Sequence, residues 1–167
     1  MKKNIALNSA IPFEHERRFL PDMSALPFDF KDYPKKSILQ GYLEDDLRTR
    51  IRDEYNDKGH IYTQTRKAGK GVSRLEDEHE ITQDEFDLLR KKASCSLVKS
   101  RYFITWDGVD VQLNIFHAGL DEYVQIEVEF ESHEDAIAFI PPAWLGKEVT
   151  DDGAHGNYSL AKNGLPK

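Results

Sequence analysis

Between residues 123 and 131 the chain alternates without a break: Val124, Ile126, Val128 and Phe130 fall on one parity, Gln125, Glu127, Glu129 and Glu131 on the other. Successive side chains of a strand point to opposite faces, whereas a helix repeats every 3.6 residues. This segment is therefore expected to be a strand with one apolar and one acidic side. The same split recurs along the chain. Val109, Val111, Leu113 and Ile115 separate from Asp110, Gln112 and Asn114. Lys99 shares a parity with Arg101, Arg74 with Glu76, Glu78 and Glu80, Arg48 with Arg50 and Arg52, and Glu14 with Glu16 and Arg18. One continuous sheet face is apolar and available for helices to cover; the other is dense in charge of both signs.

The alternating segments predict eight strands, at 13–20, 38–43, 48–55, 60–67, 73–81, 97–105, 109–116 and 123–131. Asp107-Gly108 marks a tight turn, Asn56–Gly59 another, and residues 68–72 a hairpin loop. Thr82 followed by Glu85 is a capping box, which predicts a helix over 83–93. Ser132 with Asp135 opens a short helix to about 139, which Pro141-Pro142 stops. A further helical turn is expected at 142–147 and a short amphipathic helix at 154–163. Residues 1–12 read as a loose lead-in. The stretch carrying Pro21, Pro27 and Pro34 is too broken for a long helix, but Phe28, Phe30 and Tyr33 should pack it down. These elements define a single β-rich α+β domain over residues 1–167. Two architectures satisfy the parity: an open antiparallel sheet with one wet face, or a closed barrel turning its charges inward. Spacing by itself favours the open sheet.

At 32% charged and 39% apolar residues, with no long uncharged run, the chain has no candidate membrane span. No signal-peptide pattern follows its first lysines, so a cytoplasmic location is expected. The net charge of −7 argues against general nucleic-acid binding, yet leaves room for a small polyanion bridged to acids by a divalent metal. The lone Cys95 excludes an intramolecular disulfide and a cysteine metal cluster; it is expected as an inert thiol at a helix–strand junction. Gly69-Lys70-Gly71-Val72-Ser73 lacks the order of a phosphate loop and precedes a strand. Glu78-His79-Glu80 is no metal-binding helix motif. His15, His60, His79, His117, His133 and His155 show no ligand spacing and are expected at surface or packing positions. Lys91-Lys92 suits the end of a helix dipole, and Trp106 and Trp144 suit packing.

In their order along the chain the charged blocks resemble the CYTH family, the triphosphate tunnel metalloenzymes. Phe13-Glu14-His15-Glu16-Arg17-Arg18-Phe19-Leu20 matches its N-terminal ExExK signature, with Arg18 in place of lysine. Arg50-Ile51-Arg52, Thr65-Arg66-Lys67, Arg74-Leu75-Glu76-Asp77-Glu78, Lys99-Ser100-Arg101 and Glu127-Val128-Glu129 match later blocks. Leu145–Thr150 resembles the C-terminal block, with Asn157 and Leu160-Ala161 following, so the likeness covers about 13–161. Three positions depart from the pattern. Besides Arg18, Asn114 stands where an acid is usual, with Asp110 on the same parity as a partial substitute, and His155 stands in place of tyrosine.

The resemblance implies an eight-stranded antiparallel β-barrel, a tunnel with helices packed outside, and so reverses the preference for an open sheet. It implies a divalent-metal-dependent triphosphatase that hydrolyses a phosphoanhydride bond of inorganic tripolyphosphate or an organic triphosphate. Glu14, Glu16, Glu127 and Glu129 would hold Mg²⁺ or Mn²⁺, since hard cations bridge carboxylate and phosphate oxygens. Arg18, Arg50, Arg52, Lys67, Arg74, Lys99 and Arg101 would clamp phosphates, with Lys99 and Arg101 also stabilising the charge that develops during reaction. Glu76 or Glu78 would orient or deprotonate the attacking water. The implied partner is a small-molecule triphosphate, with no nucleic acid and no membrane; a homodimer is compatible with the chain. Adenylate cyclase, thiamine or nucleoside triphosphatase, and a non-catalytic polyphosphate-binding module are the competing functions.

Overall fold

The computed structural model describes residues 13–44, 49–68 and 72–167. The expected lead-in 1–12, Arg48 and loop residues 69–71 lie outside the described residues, as do the side chains of Lys67 and Arg74. The strands are β1 (Phe13–Leu20), β2 (Lys35–Leu43), β3 (Arg50–Asn56), β4 (Gly59–Ala68), β5 (Ser73–Glu80), β6 (Ala93–Trp106), β7 (Val109–His117), β8 (Val124–Phe130) and β9 (Lys147–Glu148). The helices are α1 (Gln83–Arg90), α2 (His133–Ala138) and α3 (Asn157–Asn163). All strand pairings are antiparallel, in the order β5-β4-β3-β2-β6-β7-β8-β1-β9, and β1 also pairs with β5 through Phe13, Glu14 and His15. The protein is a β-rich α+β fold built on a nine-stranded antiparallel sheet.

Local chemistry explains most boundaries. Thr82 caps α1 with the full capping box, its side chain accepting from Glu85 N while the Glu85 carboxylate accepts from Thr82 N. Ser132 caps α2 with its side chain accepting from Asp135 N. At the β6–β7 hairpin Asp107 and Gly108 both take positive φ, 50° and 76°, as a two-residue turn of matching twist requires. Gly146 has φ 69°, and a Cβ there would stand 2.1 Å from the Leu20 carbonyl oxygen. Glycine at this point lets the chain turn from a 3-10 turn at Ala143–Leu145 into β9 against the end of β1.

Three expectations change. The helical turn over 142–147 is the 3-10 turn followed by β9, which adds a ninth strand to the expected eight. The helix expected to reach 93 stops at Arg90, because Ala93 pairs with Leu43 as β6 extends along β2. Cys95 accordingly lies within β6, half-buried, and not at a junction.

The apolar face forms the main core. Phe19, Ile104, Val111, Leu113, Ile126 and Val128 are covered by Trp144 and Leu145, with Phe28, Phe30 and Tyr33 of the proline-rich stretch packed on the same cluster. Phe28 and Trp106 both meet Trp144 edge-on. A smaller cluster of Leu97, Phe116 and Leu120 lies under Leu160 of α3 and closes one end of the opposite face. Part of that opposite, charged face is buried: Lys99 is wholly buried, and Glu16, Arg18, Arg50, Arg52, Arg101 and Glu127 are buried with it, while Glu78, Glu80 and Asp110 are exposed.

Candidate functional site

Strand parity places the charged side chains on one face, and register decides which meet. β3 and β6 flank β2 and carry Arg50, Arg52, Lys99 and Arg101 on one face; across Ile38 the register sets Glu54 against Lys99, and across Gln40 it sets Arg52 against Leu97. The Arg50 Nη2 donates to Thr65 Oγ1 at 2.9 Å, Glu76 Oε1 at 2.9 Å and Glu78 Oε2 at 3.0 Å. Arg52 donates to Gln40 Oε1 through Nε and Nη2, at 3.2 and 3.0 Å, and to Glu54 Oε1 through Nη1 at 3.1 Å. Arg101 donates through Nε to Asn114 Oδ1 at 2.8 Å and through Nη2 to Glu127. Lys99 Nζ lies 3.2 Å from Asn157 Oδ1, 3.9 Å from Glu127 Oε1 and 5.3 Å from the Phe116 ring centroid.

These cations crowd one another. Burial, with Arg50 and Arg101 adding repulsion, pushes the Arg52 guanidinium down to about 10. Burial and then Arg101 hold the Lys99 ammonium well below its ordinary range, against the pull of Glu127. Arg50 behaves oppositely: burial disfavours its charge, but Glu76, Tyr42, Glu78 and Glu14 together outweigh that and raise it. Arg52 and Lys99 are thus held against their charge by burial and by neighbouring cations, and an anion is the natural complement of such groups.

β1 and β8 build the acidic wall. Glu16 stands directly opposite Glu129, which is also opposite Asp110, while Glu127 is flanked by Arg18 and Gln112. Like charges in cross-strand register repel. Burial raises the Glu129 carboxyl above its ordinary value, and Glu127, Glu14 and Glu16 raise it further against Arg101. Among the described residues no group of three or more His, Cys, Asp or Glu side chains is gathered as a ready metal cage. The donor chemistry nonetheless fits a hard divalent cation. It offers carboxylate oxygens on adjacent strands whose mutual repulsion a cation would relieve.

The structure distributes the expected site residues unevenly. Glu16, Glu127 and Glu129 come together with Arg18 and Arg101, and Arg50 with Glu76 and Glu78. Glu14 is in register with Arg74, and Lys67 with Glu76. Arg18 turns toward the C-terminal segment: Nη2 donates to the Thr150 carbonyl at 2.7 Å and Nη1 to that of His155 at 3.3 Å. Its Nε is buried without a hydrogen bond, 4.0 Å from Glu16 Oε1. Asn114 is buried as the acceptor for Arg101, so the guanidinium has a neutral partner where the family resemblance leads one to expect an acid. Asp110 is exposed, hydrogen-bonded by Thr105 at 3.3 Å.

His155 is buried beside Tyr123, with Nδ1 2.7 Å from the tyrosine hydroxyl, and burial lowers it so that the neutral ring is favoured. Gln125 Nε2 donates to the His155 carbonyl at 2.9 Å. The sequence does not single out Gln40, Glu54, Lys36 or Tyr123 as members of this network. For Gln40 and Glu54 the one signal it offers is their parity.

No family model matches the chain. It is 35% identical over 153 residues to an inorganic triphosphatase of Nitrosomonas europaea, covering 89% of this chain and 96% of that protein. It is 34% identical over 128 residues to an inorganic triphosphatase of Acetivibrio thermocellus, covering 74% and 79%. A solved structure of an inorganic triphosphatase superposes with a TM-score of 0.64 at 31% identity, covering 92% of this chain and 100% of that one. With near-complete coverage at this identity, the chain belongs to the CYTH family, the triphosphate tunnel metalloenzymes.

Proposed function

We infer that the chain is a triphosphatase, and that its substrate is inorganic tripolyphosphate. The observation that carries this is the cluster of buried cations Arg50, Arg52, Lys99 and Arg101, with Arg52 and Lys99 held against their charge, on the same face as buried carboxylates of β1 and β8. A tripolyphosphate is a short rod of dense negative charge that answers the first wall. A divalent cation riding on it answers the second. Relatives that carry the name inorganic triphosphatase support the choice of substrate. The sheet is proposed to close as the family's tunnel, a reading supported by β1 pairing with β8 on one side and β5 on the other.

Glu14, Glu16, Glu127 and Glu129 would hold Mg²⁺ or Mn²⁺. The ion, when bound, supplies charge neutralisation between carboxylate and phosphoryl oxygens. The chain's own groups do the rest. Arg50, Arg52 and Arg101 present fixed guanidinium donors, and Lys99 a point charge, to the equatorial oxygens, with no reorganisation needed as charge shifts to the leaving phosphate. By the family resemblance Lys67 and Arg74 would add to the clamp. Although its burial works the other way, Glu78 is held below the ordinary carboxylate value by Thr65, Arg50 and Arg52. An ionised Glu78 suits the orientation of an attacking water better than strong proton abstraction. Hydrolysis then breaks one P–O–P bridge and forms one P–O bond to the water oxygen.

The test is a substrate panel in Mg²⁺ and Mn²⁺, read for orthophosphate and for cyclic AMP. Metal-dependent phosphate release from tripolyphosphate, lost in Glu16→Gln, is the expected result. Cyclic AMP from ATP without orthophosphate, or binding without turnover, would overturn it. Undiminished activity in Glu16→Gln would remove that residue from the metal set.

A further inference from the structure

The C-terminal helix sets one side chain between a buried cation and a buried acid of the site. Leu160 of α3 packs against Leu97, Phe116 and Leu120, and the Tyr158 ring meets Tyr42 of β2 edge-on at 5.3 Å. Just upstream, the His155 carbonyl accepts from Gln125 and Arg18. The first turn of α3 is therefore held from both sides. Asn157 opens the helix one place after its Gly156 cap, and its amide turns to the charged face and not to the helix's own backbone. Its Oδ1 accepts from Lys99 Nζ at 3.2 Å, and its Nδ2 stands 3.5 Å from Glu127 Oε1, at the outer limit of a hydrogen bond.

Lys99 and Glu127 are both buried, with Nζ 3.9 Å from Oε1. A buried ammonium and carboxylate with nothing between them close to a direct contact of about 2.8 Å. The amide meets the needs of both without letting them close, its oxygen toward the ammonium and its nitrogen toward the carboxylate. An aspartate in its place would accept from Lys99 but repel Glu127, and a leucine would answer neither. Lys99 and Glu127 serve different ligands, phosphate and metal, so a closed pair would withdraw each from its own.

We propose that Asn157 is a positioning residue whose amide keeps Lys99 and Glu127 from closing on each other, leaving the ammonium for phosphate and the carboxylate for metal. This rests on the triphosphatase reading above. It brings α3 into the site through one side chain.

The experiment compares the parent chain with Asn157→Leu and Asn157→Asp. The readouts are the calorimetric Kd for tripolyphosphate in metal-free buffer and the Mg²⁺ concentration that gives half-maximal phosphate release. In Asn157→Leu the pair closes, so Kd should weaken about tenfold and the Mg²⁺ demand should rise about tenfold. In Asn157→Asp the new carboxylate occupies Lys99 and adds an acid beside Glu127, so Kd should again weaken about tenfold while the Mg²⁺ demand falls. A side chain that only supported α3 would not move the Mg²⁺ demand in opposite directions. Aspartate keeps the shape of asparagine, so this variant decides the matter even where Asn157→Leu folds poorly. A Kd within about twofold of the parent in Asn157→Asp, or a Mg²⁺ demand raised in it, overturns the proposal while tripolyphosphate hydrolysis by the parent chain still stands. A parent chain that neither hydrolyses nor binds tripolyphosphate overturns both readings.

Discussion

Replacing Arg52 by Met separates what the buried cations do for binding from what they do for folding. Burial, then the neighbouring Arg50 and Arg101, lower Arg52 to about 10. At about 1.4 kcal/mol per pH unit, its surroundings disfavour its charge by roughly 3 kcal/mol, with Glu54 already counted. Met has a similar reach and no charge, so the substitution removes that penalty. It also strands Gln40 Oε1, which accepts from both Nε and Nη2, and it takes one partner from Glu54. Leaving such buried acceptors unmet costs about 1–3 kcal/mol. The two effects nearly cancel, and the metal-free variant should unfold in urea within about 1 kcal/mol of the parent. Removing one member of a buried ion pair ordinarily costs about 3–5 kcal/mol, so the outcomes are well separated. Tripolyphosphate tells the other half. At a hundredfold excess over Kd it should stabilise the parent by about 2.7 kcal/mol, or about 5–11 °C in Tm for a domain of this size. The variant should keep little of that shift. A loss of 3 kcal/mol or more without ligand, together with an undiminished ligand shift, would refute the idea that this wall is strained in favour of an anion.

The raised Glu129 carboxyl gives a pH prediction. An acid that holds its proton more tightly when folded contributes stability below its unfolded value and loses it as pH rises through the raised folded value. The metal-free parent should therefore lose stability across that window and Glu129→Gln should not, as measured by urea unfolding at stepped pH; matching pH profiles would refute this. Gly146→Ala forces a Cβ onto the Leu20 carbonyl at positive φ, and should cost at least about 2 kcal/mol in urea unfolding. A change under about 0.5 kcal/mol would mean that the β1–β9 junction relaxes freely.

Strand parity alone makes the two sheet faces legible. Val124 to Glu131 and Val109 to Asn114 divide as expected, and Phe13–Leu20 is a strand to the residue. Parity assigns a side and not a neighbour, however. That Arg18 binds the Thr150 and His155 carbonyls depends on contacts more than 130 residues apart, and no local pattern signals them. β9 is two residues long, below the length at which alternation exists, and its pairing with β1 depends on the turn at Gly146. Gln40 reads as an interruption in Ile38-Leu39-Gln40-Gly41 until register sets it beside Arg52. The proline-rich stretch shows the reverse: its aromatics signal packing, and Phe28, Phe30 and Tyr33 do pack, because large apolar rings between prolines have little else to do.

The two walls also predict how substrate and metal should depend on each other. Without ligands they are partly tied together, since Arg101 donates to Glu127 and Lys99 lies 3.9 Å from the same carboxylate. On the proposed metal set, a divalent cation binding alone would draw Glu127 away from Arg101 and Lys99, which would lose their nearest anion. Tripolyphosphate binding alone must draw Arg101 away from a carboxylate left beside Glu129 and Glu16. Arriving together, each supplies what the other displaces: phosphate for Arg101 and Lys99, metal for Glu127. Their affinities should therefore be positively coupled, and coupling between two ligands is reciprocal. Breaking a buried charge-assisted contact costs about 1.5–3 kcal/mol, so Mg²⁺ should tighten tripolyphosphate binding by about tenfold or more. A non-hydrolysable tripolyphosphate analogue titrated by calorimetry with and without Mg²⁺ measures this directly. Glu127→Gln, which weakens the tie without adding charge, should bind the analogue better in the absence of metal and gain less from Mg²⁺. Equal coupling in parent and variant would place the linkage elsewhere on the face, and its absence in the parent would show that the walls do not compete for each other in solution.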